Sequence, residues 1–176
     1  MPSASLVSKN SQIFKLADYI ASSHLSFDVL DTIQRVFLLS NRVSSVLISV
    51  EDDSVIYISS HLISDVSKLT PETNIEVVSY NEWRKEVSES FAYDYDRSRF
   101  TRSTLLETLR YKVRDHQRYS FVAHRLEDGH ESVVKQTFIS LGKDAKFILS
   151  TQQEITNNLE HDVLTGGLNR AGLLRE

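Results

Sequence analysis

Tyr119-Ser120-Phe121-Val122-Ala123-His124-Arg125-Leu126-Glu127-Asp128-Gly129-His130-Glu131-Ser132-Val133-Val134-Lys135-Gln136-Thr137-Phe138-Ile139 reads as two strands folded about a turn. Aromatic and β-branched residues fill 119–126 and 132–139, and such side chains suit a pleated, half-buried surface. Between them Glu127-Asp128-Gly129-His130 centres an Asp-Gly pair, the residues that a tight hairpin turn demands. A third run, Lys146 to Thr151, extends the pattern to three consecutive strands.

Working back toward the N-terminus, Val46-Leu47-Ile48-Ser49-Val50 and Val55-Ile56-Tyr57-Ile58 form a second strand pair. Glu51-Asp52-Asp53-Ser54 is the turn between them. The intervening 61–99 are punctuated by Pro71 and place Trp83 in a short helix, while Tyr93-Asp94-Tyr95-Asp96-Arg97 reads as loop. The mixed charges of Asp94 to Arg99 fit a solvated surface. Thr104 and Glu107 have capping-box spacing for a helix through Leu105, Leu106 and Leu109. Upstream of the strands, Ile13, Phe14, Leu16, Ala17 and Ile20 predict a helix over 11–23. Ser26 is placed to cap another helix carrying Phe27, Leu30, Ile33, Val36 and Phe37. These stripes need a partner surface and are expected to pack outside the sheet or against a second copy.

Composition narrows the classes. Hydrophobic residues at 40% and charged residues at 25% of 176 supply one sizeable core and exclude wholesale disorder. A net charge of −4 argues against nucleic acid, whose phosphates call for clustered Lys and Arg. The chain has no Cys, which excludes disulfides, thiolate metal sites and a cysteinyl-flavin adduct and suits a reducing, cytoplasmic setting. No apolar run approaches the roughly 20 residues of a membrane helix. All five Gly lie in the last third, and Gly166, Gly167 and Gly172 mark a tight turn near the C-terminus.

That turn lies in His161-Asp162-Val163-Leu164-Thr165-Gly166-Gly167-Leu168-Asn169-Arg170. The segment resembles the D-x-L-T-G-L-x-N-R signature at the opening of diguanylate cyclase (GGDEF) domains. Asp162, Leu164, Thr165, Gly166, Asn169 and Arg170 match, and Gly167 stands where the family has leucine. Physically, Asp162 can cap a turn, Thr165 can bond backbone locally, and Arg170 can pair with a carboxylate such as Asp162. His161 and Asp162 have the look of a metal pair, but the signature accounts for both. In the family this element signals, whereas the metal, guanine and phosphate ligands lie further on. The resemblance therefore implies that residues 1–176 are catalytically inert, need no cofactor, and precede a domain that uses Mg and GTP. Two such domains meet to make one cyclic di-GMP, so a homodimer is implied.

The order of two strands, helices and three strands resembles a PAS domain over about Val43 to Thr156, roughly two-thirds of the chain. Phe100-Thr101-Arg102-Ser103-Thr104-Leu105-Leu106, the 119–129 strand with its Asp-Gly turn, and Glu154-Ile155-Thr156 carry that likeness. A GAF domain, also built on an antiparallel sheet, is the alternative. The expected fold is α+β: a PAS-like five-stranded antiparallel sheet with flanking helices, preceded by a helical segment. The boundaries are 1–42 for that segment, 43–153 for the sensory domain, 154–161 for a connector helix and 162–176 for the cyclase opening. Ile48, Tyr57, Phe121, Phe138 and Phe147 are expected in the core, with a small-molecule pocket in the sheet's concavity as the second reading. His24, His61, His116, His124, His130 and His161 lie in no attachment motif, so haem is not expected, and His124 reads as solvent-facing. The functional expectation is a sensory module of a diguanylate cyclase responding to an unidentified signal. The alternatives are a module of a non-enzymatic cyclic di-GMP receptor, or a dimerisation unit alone.

Overall fold

A computed structural model describes residues 11–23, 44–57, 72–141 and 145–155. The helix expected over 27–39, Pro71, the connector beyond Ile155 and the 162–170 signature all lie outside these residues. So do the outer domain boundaries. Within them the chain is α+β. Strand β1 (Gln12–Lys15) runs into helix α1 (Leu16–Ser23), and β2 (Ser44–Ser49), β3 (Ser54–Tyr57) and β4 (Asn74–Ser79) follow. Three helices come next: α2 (Tyr80–Glu89), α3 (Asp94–Ser103) and α4 (Leu106–Val113). A 3-10 turn, Arg114–His116, then leads into β5 (Arg118–Glu127), β6 (His130–Leu141) and β7 (Phe147–Glu154). No described helix is long and apolar enough to cross a membrane.

All pairings are antiparallel, and the order across the sheet is β1-β4-β3-β2-β7-β6-β5. The five strands read from sequence are all present, as β2, β3, β5, β6 and β7. The sheet nevertheless has seven strands, not five. One addition is β4, whose Ile75-Glu76-Val77-Val78 alternates too briefly to separate from its polar surroundings. The other is β1, which replaces the first turn of the helix expected over 11–23: Gln12 to Lys15 pair with Val77 to Asn74. An edge strand of four residues carries no periodicity long enough to tell it from a helix start.

The β5–β6 hairpin closes as its sequence requires. Glu127 pairs with His130, and Asp128 and Gly129 take φ of 50° and 80°, the two positive values of a type I′ turn. At the β2–β3 hairpin Ser49 Oγ donates to Asp52 Oδ2 at 2.8 Å, and Asp53 turns with φ 47°.

One face of the sheet is roofed by the three helices. Five rings fill the gap: Phe100 lies 5.2 Å from Phe91 and 5.4 Å from Phe121, with Trp83 at 6.5 Å and Tyr80 tilted against Trp83 at 5.7 Å. Aromatic pairs at such separations stabilise beyond their buried area. The Tyr80 hydroxyl donates to Thr104 O at 2.7 Å, and burial raises its pKa well above that of a free phenol. The opposite face is closed over β2, β3, β4 and β7, where Leu47, Ile56, Ile75 and Leu149 are buried. Those strands are sandwiched, which is why β2 reads as a continuous apolar run rather than an alternation.

Two local readings change. Residues 94–97 are the start of α3, not a loop. The helix has almost no apolar stripe, so periodicity could not announce it. Its first turn carries Asp94 and Asp96, favourable at a helix N-terminus, and Arg97 and Arg99 reach back to them at 3.2 and 3.3 Å. Nor does Thr104 open a capping box. The residue before α4 is Leu105, with no side-chain cap, and the Thr104 hydroxyl instead donates to Phe100 O at 2.7 Å, closing α3.

Candidate functional site

A cavity of about 640 Å³ opens between the helix-covered face of the sheet and the C-terminal half of α2. That volume falls within the range of small-molecule sites, roughly 300–1,000 Å³. Its floor follows from strand register. Val46 of β2 pairs with Tyr57 of β3 on one side and Ser150 of β7 on the other, so all three side chains share a face. Gln136 pairs with Gln152 and extends the floor onto β6. Trp83, Glu86 and Val87 form the roof. The rim is the end of β5 and its turn, Arg125 to Asp128, facing Glu89 and Ser90 of α2 and its C-cap.

Backbone bonds fix the roof to the rim. Leu126 N–H donates to Ser90 O at 3.1 Å, and Ala92 N–H donates to His124 O at 2.8 Å. Phe91, buried between them, bridges to Arg125 in sheet fashion. The cavity therefore occupies the end of the sheet where β2 begins and β7 finishes. Beyond it Ile155 N–H holds Val133 O at 2.8 Å.

The polar groups of the cavity are unequally satisfied. The Tyr57 hydroxyl bonds the Glu86 carboxylate, and burial together with the charges of Glu86 and Glu76 drives its pKa far above that of a free phenol. Glu86 is itself raised, first by burial and then by Glu76 and Glu89, against the lowering from the Tyr57 bond. Arg125 Nη2 is answered by Glu127 at 2.9 Å. Gln136, 4% exposed, donates its Nε2 to the Ser150 hydroxyl, and its Oε1 has no partner. A buried acceptor in that state costs about 1–3 kcal/mol.

Of the residues expected in core or pocket, the structure brings only Tyr57 to the cavity wall. Ile48, Phe121 and Phe138 belong to the core behind it, and Phe147 projects from the opposite face of the sheet, where it is also buried. The residues that give the cavity its polarity, Glu86, Arg125, Gln136 and Ser150, carry no motif. Register alone brings them together, and register could have been read only once β6 was aligned with β7.

A second polar group lies on the outer edge of β5. Asp96, expected on a solvated surface, is 4% exposed. Its Oδ2 accepts from the His124 backbone N–H at 3.0 Å and lies 3.1 Å from His124 Nδ1, so His124, whose side chain is 46% exposed, faces solvent as expected while it also holds Asp96. Among the described residues no three His, Asp or Glu side chains converge to hold a metal ion. No protein-family model matches the chain, and no curated protein matches it.

Proposed function

We propose that this chain is the sensory and linking region of a diguanylate cyclase, and that the cavity above β2 and β7 receives its signal. The observation carrying the reading is the 162–170 segment, in which Asp162, Leu164, Thr165, Gly166, Asn169 and Arg170 fall at the spacing of the cyclase opening. It begins only seven residues after Ile155. An α+β domain with a cavity at the exit of its last strand suits that role. The five strands β3-β2-β7-β6-β5 are those the PAS-like reading expects, and β4 and β1 extend the antiparallel sheet beyond them, so PAS-like and GAF-like domains remain the two readings of the fold.

Control would be geometric. Residues 1–176 contribute no group that touches GTP or Mg, both of which belong to the domain the signature opens. What they contribute is the pairing of two copies and the angle at which each presents its catalytic domain. A ligand held between Val46, Ser150 and α2 favours one setting of β7 over another, and β7, which runs through Glu154 where the connector helix was expected to begin, leads toward the signature.

The test reads the sequence that follows Glu176 and assays both pieces. Residues 1–176 with GTP and Mg are expected to yield no cyclic di-GMP, and the protein carrying the following domain is expected to yield it. Product from residues 1–176 alone, or a following sequence without a cyclase domain, overturns the proposal. A following domain with a broken GG[DE]EF sequence that binds cyclic di-GMP would establish the receptor alternative in its place.

A further inference from the structure

We draw no further inference here: the strongest candidate, the exposed apolar surface patch of Val122 and Leu126 on β5 beside Tyr93 and Tyr95 at the N-terminal end of α3, carries nothing because nothing in the structure shows what covers it.

Discussion

Asp96 offers the sharpest test of how the helices are fastened to the sheet. Strand β5 is the last of its sheet, and its outer edge would present unpaired backbone groups to solvent or to another chain. The segment running from Ser90 to Arg99 closes that edge bond by bond. Ser90 O takes Leu126 N–H, Ala92 N–H gives to His124 O, Asp96 takes His124 N–H, and Arg99 gives to Val122 O. Asp96 is the member of this series that acts through a buried side chain. Asp96→Ala leaves the His124 amide without its acceptor, which costs about 1–3 kcal/mol. It also removes the carboxylate from His124 Nδ1 and Arg99 Nη2, at 3.1 and 3.3 Å. Both partners are nearly half exposed and water replaces much of what they lose, so each adds about 1 kcal/mol or less. The sum is about 3 kcal/mol. For a chain of this length the melting temperature then falls by roughly 6–12 °C. Asp96→Asn, which keeps an acceptor and loses the charge, should fall between parent and Ala variant. Thermal unfolding followed by circular dichroism, with urea midpoints as a second measure, decides it. An Ala variant within about 0.5 kcal/mol of the parent would mean that Asp96 is a solvated surface charge. The β5 edge would then be closed without any contribution from Asp96.

Two further outcomes are expected. Burial raises the Glu86 pKa above its ordinary 4.5, so its contribution to stability is full below that value and is lost as pH rises through the raised one. The urea midpoint of Glu86→Gln should therefore gain on the parent between pH 4 and pH 7, with Tyr57, Glu76 and Glu89 unchanged around it; an advantage that shrinks as pH rises would contradict the burial of this carboxyl. Gly129→Ala meets no atom within 4 Å but must keep φ at +80°, and should lower stability by about 1 kcal/mol through backbone strain alone, measurable as a urea midpoint shift with an unchanged slope.

Sequence reading was most informative where local chemistry and tertiary placement agree. The Asp128-Gly129 turn, the β-branched runs of β2 and β3, and the aromatic start of β5 each specify their own conformation, and all are found as read. Elements that exist only through their neighbours escaped it. Strand β1 is held by pairing to β4, and β4 by Val55 and Val78 meeting across the ladder. Helix α3 is held by Phe121, against which its own Phe100 packs, and by the β5 edge beside it. The candidate site escaped for the same reason. Tyr57, Glu86 and Gln136 are 29 and 50 residues apart in successive steps along the chain. Nothing short of the strand order brings them to one cavity.

The two buried polar clusters also separate structure from function. Both contain a polar side chain that a sequence reading would place on the surface or ignore, and both lie between a helix and β5 or β6. Asp96 has every oxygen answered, by His124 and Arg99, and a polar group so satisfied fixes the fold and asks for nothing more. Gln136 is as deeply buried, yet its carbonyl oxygen has no partner, on a cavity wall that also carries Glu86, whose pKa burial raises, and Tyr57, whose hydroxyl bonds that carboxylate. A core under selection for stability alone would have an apolar residue there, as neighbouring Val134 and Phe138 do on the same face. Local rules broken without structural compensation are where function is expected to lie. By that criterion the cavity over Val46, and not the Asp96 cluster, is the candidate site of this domain.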